Sequence, residues 1–109
     1  MKDSFADFIL DQLEELPDVD CRAMFGGHGF YQDAIFFAIV FKGRLYLKTN
    51  ETSAALYRRR GMKPFRPNGR QTLKNYYEVP ADIVEDRDEL AEWARQAIAV
   101  AGGASRRRR

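Results

Sequence analysis

The chain has 109 residues, enough for one small domain with a single core and too few for two. A single cysteine excludes an internal disulfide, and no stretch reads as a signal peptide or is apolar for long enough to span a bilayer, so the expected setting is a reducing cytoplasm with no membrane contact. The net charge of +2 conceals strong segregation: residues 1–41 carry two basic and eight acidic side chains, residues 42–74 ten basic and one acidic, and residues 75–105 two basic and seven acidic, before four closing arginines.

In chain order, the first expected element is a helix. Ser4 stands where an N-cap belongs, Asp7 holds the capping-box position, and Phe5, Phe8, Ile9, Leu13 and Leu16 recur at helical spacing until Pro17 stops the run. Val19 to Phe25 reads as a strand, and Gly26-Gly27-His28-Gly29 as a tight reversal into Phe30-Tyr31. The chain is organised around Ile35 to Phe41, seven consecutive apolar residues rich in aromatic and β-branched side chains, followed by Arg44 to Lys48 alternating at period two.

These two runs pair as an antiparallel hairpin. A plain two-residue turn at Lys42-Gly43 sets Phe41 opposite Arg44, whereas a bulge with Gly43 at positive φ shifts the pairing by one and exchanges the faces. The bulge is the reading adopted. It puts Phe37 and Ile39 beside Leu45 and Leu47, and leaves Phe36, Ala38, Val40, Arg44, Tyr46 and Lys48 on a second face. A face that greasy predicts a homodimer, unless a helix crosses over to cover it.

Asn50 caps a short helix from Glu51 to Arg60 with Gly61 as its stop and Leu56 as its main apolar anchor. Lys63 to Arg70 cannot be helical, since two prolines remove donors and Asn68-Gly69 favours a turn; it leads into an edge strand from Thr72 to Glu78 that Pro80 closes. Asp86 with Glu89 opens a last helix, whose apolar stripe is Leu90, Trp93, Ala94, Ala97, Ile98 and Ala101 and whose end falls at Gly102-Gly103. The expected fold is α+β, an antiparallel sheet with helices packed on it, in the order α-β-β-β-β-α-β-β-α. It forms one domain over residues 1–105, followed by a disordered basic tail, Arg106 to Arg109.

The run MFGGHGFYQDAIFFAIVFKGRLYLKT, then GMKPF, NYYEVP and ELAEWARQAIAVA, resembles the N-terminal domain of the TfoX/Sxy competence-regulator family from Ser4 to Ala101. The residues that carry the match are Met24, Phe25, Gly26, Gly27, Gly29, Tyr31, Leu45, Tyr46, Gly61, Pro64, Phe65, Tyr76, Tyr77, Pro80 and Trp93, which the resemblance implies are structural. Where the family has an Asp-Gly turn after the tyrosine, this chain has Asp33-Ala34. The resemblance implies a secretion-chaperone-like α+β domain, a link to regulating natural transformation in bacteria, and no catalytic activity or cofactor. Founding members carry a second, DNA-associated domain, and this chain is expected to be a stand-alone relative.

The residues themselves argue in the same direction. The Gly26 to Gly29 segment lacks the Lys-Ser/Thr of a phosphate-binding loop, and His28, the only histidine, reads as a turn residue with no cluster of metal ligands around it. Cys21 alternates with Val19 and Ala23 as a small strand thiol, and Asp86, Asp88 and Glu89 are what a helix start calls for. No catalytic set and no metal site is proposed. The informative feature is Arg58, Arg59, Arg60, Lys63, Arg66, Arg70 and Lys74, interleaved with Tyr57, Phe65, Tyr76 and Tyr77. Two readings of it stand side by side: a surface for nucleic acid or a partner, with aromatic faces stacking on bases, or a solvated surface balanced by the acidic helices. The leading functional expectation is a non-enzymatic regulatory domain that contacts a protein partner in transcription. Direct nucleic-acid binding through residues 58–74 and the arginine tail is the alternative.

Overall fold

The computed structural model describes residues 4–24 and 26–106, without the side chains of Asn68 and of residues beyond Gly102. In chain order the elements are α1 (Ser4–Gln12), β1 (Val19–Met24), β2 (Gly27–Gln32), β3 (Ile35–Phe41), β4 (Arg44–Lys48), α2 (Glu51–Arg59), β5 (Pro64–Asn68), β6 (Gln71–Glu78), α3 (Ala81–Val84) and α4 (Arg87–Arg106). The strands form one antiparallel six-stranded sheet in the order β1-β2-β3-β4-β6-β5. The α+β class and the order of elements agree with the sequence reading, with the one-turn α3 added; four residues after Pro80 are too few to show a period. No helix among the described residues is long and apolar enough to cross a membrane.

All four helices pack on one face. Ile9 and Leu13 of α1, Ala54 and Tyr57 of α2, Ile83 and Val84 of α3, and Leu90, Ala94 and Ala97 of α4 share a core with Phe30, Phe37, Ala38, Val40, Leu45 and Leu47 of the sheet. The opposite face has a small core of its own, in which Ile39, Tyr46, Phe65 and Tyr76 are buried.

The β3–β4 register corrects the expected bulge. Phe41 pairs with Arg44, Val40 with Leu45, Ile39 with Tyr46 and Ala38 with Leu47. Lys42 at φ 50° and Gly43 at φ 74° are both left-handed, the backbone of a two-residue hairpin turn whose twist matches that of the strands. Ala38 and Val40 therefore face the helices beside Leu45 and Leu47, and Ile39 moves to the far face with Tyr46. Phe37 stays on the helix side because a bulge does exist one strand over. Phe30 pairs with Ala38 and Tyr31 with Phe36, which leaves Phe37 as the extra residue.

The greasy second face on which the homodimer expectation stood is thus a different one, and the chain covers part of it itself. Tyr77 pairs with both Leu47 of β4 and Pro64 of β5, but Phe65 pairs with Leu73, so residues 74–76 have no β5 partner and the distal β5–β6 hairpin turns over the far face. That turn brings the fully buried Phe65 ring within 4.7 Å of Tyr46 and 5.4 Å of Phe41. The expected edge strand, Thr72 to Glu78, is interior for the same reason: β5 pairs outside it and, as the true edge, accommodates Pro64 and Pro67.

The reversal after β1 is tighter than expected. Met24 pairs with Gly27, so the reversal is complete before Gly27; Phe25 lies outside the described residues, and Gly27, His28 and Gly29 belong to β2. Gly27 and Gly29 answer to space rather than to φ, since a Cβ would come within 2.4 Å of the Val40 carbonyl at the first and 2.7 Å of Met24 Sδ at the second. Asp33, at φ 57°, makes the β2–β3 turn without the family's glycine, a conformation that aspartate tolerates better than most residues.

Helix details change in three places. Ser4 already lies within α1, what precedes it is outside the described residues, and Phe8 points outward while Ala6 and Gln12 point in. Leu56 is 45% exposed, and the anchors of α2 are Ala54, two residues before it, and Tyr57, the next residue. Asn50 caps α2 as expected, its side chain accepting from Ser53 N at 2.8 Å while Ser53 Oγ accepts from Asn50 N at 3.0 Å. Finally, α4 continues through Gly102-Gly103 to Arg106, since glycine only weakens a helix and a Cβ at Gly102 would press on Ile35 Cδ1 at 3.1 Å. Arg107 to Arg109, the rest of the expected tail, lie outside the described residues.

Candidate binding surface

The seven cations singled out from the sequence lie on α2, on β5–β6 and on the loop between, and the fold distributes them over several places. Arg58 and Lys74 line one cleft between α2 and β6. Arg60 is drawn away from it, its guanidinium donating to both carboxylate oxygens of Asp82 on α3 at 2.8 and 2.9 Å. Arg66 donates to the Gly69 carbonyl at 3.2 Å across the turn of the β5–β6 hairpin, where Arg70 also sits. Arg59 and Lys63 are exposed at the end of α2 and before β5.

The acidic helices are engaged elsewhere. Arg87 of α4 reaches Asp11 at 3.4 Å and Glu14 at 3.5 Å, and Arg95 meets Glu15 and Glu92 at 2.8 Å. Asp11 of α1, with Glu14 and Glu15 in the turn after it, thus meets the two arginines of α4 and not the basic middle. These pairs are exposed and individually worth little to stability, but they decide where the charge remains. Arg59, Lys63 and Lys74 hold no ion pair among the described residues.

The interleaved aromatics are core residues and do not form the stacking surface that one reading of the sequence gave them. Tyr57, Phe65, Tyr76 and Tyr77 are all at least nine-tenths buried. Tyr57 stands edge-on to Trp93 at 5.0 Å and contacts Tyr77 at 5.8 Å. Burial, helped by Tyr31, pushes the Tyr76 hydroxyl up to about 12, and burial also raises that of Tyr57. Their ring faces are core surface and are not offered to bases. On the far face, Arg22 over Tyr31 at 4.9 Å, Tyr31 against Phe36 at 5.0 Å and Phe36 against Tyr76 at 5.7 Å make a row that spends its ring faces on itself.

Of the other residues weighed from the sequence, His28 is a half-buried strand residue and not a turn. Cys21 is half-buried on β1, packed against the helix-side core. Asp86 accepts from Glu89 N at 3.1 Å, the capping role that its position called for. The residue that the sequence reading missed is Thr49, which is 3% exposed in the cleft with Arg58 and Lys74. Only its place just before a helix cap could have marked it, and that position is too common to single out.

Helices on one face of an antiparallel sheet, with exposed cations on α2, on β6 and around β5, define a small α+β domain. The chain belongs to the TfoX N-terminal domain family, whose model matches residues 11–101. No curated protein matches the chain. Of the residues that carried the resemblance, Gly26 and Gly61 stand at positive φ in turns, Gly27 and Gly29 lie under close contacts, Leu45, Tyr46, Phe65, Tyr76 and Tyr77 are buried, and Pro80 precedes α3.

Proposed function

We propose that this domain is a non-enzymatic regulator that acts by contacting a protein partner of the transcription apparatus in a bacterial cytoplasm, in the setting of natural transformation to which its family is tied. The observation that carries this reading is the pairing pattern. Asp11 at the end of α1 and Glu14 and Glu15 just after it pair with Arg87 and Arg95, while Arg59, Lys63 and Lys74 are exposed without ion pairs among the described residues. Such a surface selects an acidic partner and speeds its encounter. Burial of Tyr57, Phe65, Tyr76 and Tyr77 weighs against direct recognition of single-stranded nucleic acid, because a groove for it needs aromatic faces as well as charge. Contact with phosphates through charge alone remains the second reading, and it carries no sequence specificity.

The double substitution Arg59→Gln with Lys63→Gln touches no buried side chain and leaves the fold intact. In cells that express the chain at native level, chemical cross-linking should recover one transcription-associated protein with the wild type and several-fold less of it with the double variant, and transformation frequency should move in step. Equal recovery and equal transformation with both chains would remove the surface from the account.

A further inference from the structure

We propose that the cleft between α2 and the bend of β6 is a binding site for a small phosphate ester that carries hydroxyl groups, such as a sugar phosphate. The cleft has a volume of about 640 Å³, within the range of sites that hold small ligands. Its construction follows from the sharp turn of β6: residues 74–76 leave their pairing with β5, and the gap opens against the start of α2.

Thr49, between β4 and α2, lines the cleft. The residue is 3% exposed, and its hydroxyl, shut off from bulk water, has no hydrogen-bond partner among the described residues. Its backbone N–H does have one, the Asn75 carbonyl at 2.8 Å, so the threonine is fixed in place while its side chain is left unsatisfied. A buried hydroxyl without a partner is costly, and where one persists beside a cavity the natural account is a ligand that completes it.

The charges around it specify what that ligand is. Arg58 from α2 and Lys74 from β6 both line the cleft, and the Arg58 guanidinium is steadied by donating to the Tyr77 hydroxyl at 3.2 Å, which leaves its other N–H groups for a ligand. Lys74 is exposed with no ion pair among the described residues. Two cations lining one cleft from two elements suit an oxyanion with several oxygens. The Asn50 side chain already caps α2, so the helix start adds little of its own. Glu51 is the one carboxylate among the lining residues; it leaves the cleft cationic by one charge, two less one, and accepts hydroxyl donors from the ligand. Leu73 and Ala54 supply an apolar wall for a sugar ring.

The site shares Lys74 with the partner reading but does not rest on it, since Arg59 and Lys63 are not among its lining residues and Thr49 and Arg58 carry no part of that reading. The test is a titration of the full ¹⁵N-labelled chain with ribose 5-phosphate, inorganic phosphate, ribose and acetate, followed through the amide resonances. Ribose 5-phosphate should shift the Thr49, Lys74 and Asn75 amides saturably, inorganic phosphate should shift the same amides more weakly, and ribose and acetate should not saturate them. Lys74→Gln should weaken ribose 5-phosphate by about tenfold, the scale of one charge-assisted hydrogen bond. Thr49→Val, which removes the hydroxyl and keeps the shape, should fold, melt no lower than the wild type, and also bind more weakly. The proposal is overturned by saturation with acetate in place of the phosphates, by the absence of any saturable shift, or by a Thr49→Val chain that melts higher and binds unchanged.

Discussion

Replacing Phe65 by alanine lowers the unfolding free energy by about 3–5 kcal/mol, the range for deleting a fully buried aromatic ring. Phe65 is 0% exposed although it belongs to an edge strand, and its contacts are with Tyr46 and Phe41, not with the helix-side core. Its ring is the pin that holds the β5–β6 hairpin over the far face, so the variant also frees the hairpin. In hydrogen exchange, the amides of β5 and the distal part of β6 should lose protection before those of β3. Leu56→Ala serves as the control. The sequence pattern makes Leu56 an anchor, but at 45% exposed it should change stability by no more than about 0.5 kcal/mol. Urea unfolding of the two variants measures both, and a larger loss at Leu56 than at Phe65 would reverse the assignment.

Val40→Glu leaves the domain unable to fold. Val40 is 0% exposed and sits among Leu45, Ala38 and the helices, so a glutamate there buries a charge with no partner, at a cost of at least about 4 kcal/mol. That removes nearly all of the stability of a domain at the low end of the usual range, roughly 5 kcal/mol. The substitution separates the two hairpin registers. With the alternative bulged turn, Val40 lies on the second face, and the variant folds as a well-behaved monomer with a native circular dichroism spectrum. With the pairing Val40 to Leu45 the spectrum is that of an unfolded chain, and in the wild type the two α-protons lie across from each other and give a strong NOE.

These two cases show where the sequence was legible and where it stopped. The seven-residue apolar run, the period-two strand, the capping pair at Asn50 and the stripe of α4 each gave the right element, because local pattern and tertiary burial agreed there. Faces were another matter. A single-residue choice at Lys42-Gly43 exchanges every side chain of β3 and β4 between the two sides, and a lysine at positive φ is rare enough for the pattern to favour the bulge. A run apolar at every position offers no alternation to correct the choice, since both sides turn out to be buried. Leu56 failed for a related reason: on a two-turn helix, hydrophobicity alone pointed to leucine, while the orientation of α2 turned Ala54 and Tyr57 inward.

The candidate surface was legible in its charges and not in its partners. Segregation of cations into residues 42–74 is plain in the sequence. That Arg60 would be tied to Asp82, that Arg87 and Arg95 would meet Asp11, Glu14 and Glu15, and that four aromatics would be buried all depend on how elements distant in sequence pack together. Thr49 was invisible for the same reason, because a hydroxyl becomes conspicuous only when burial removes its water and nothing replaces it.

The central claim is that the cations around α2 and β5–β6 serve a protein contact, with the aromatics kept for the core. Fluorescence anisotropy of labelled single-stranded and duplex DNA, titrated with the chain across a salt series, tests it most directly. The account predicts weak binding to both, with dissociation constants of about 10⁻⁴–10⁻⁶ M at physiological salt, a steep loss as salt rises and no preference for the single strand. Binding of single-stranded DNA that is far tighter than that of the duplex, and that survives high salt, would contradict it, since that behaviour requires aromatic faces open to the bases.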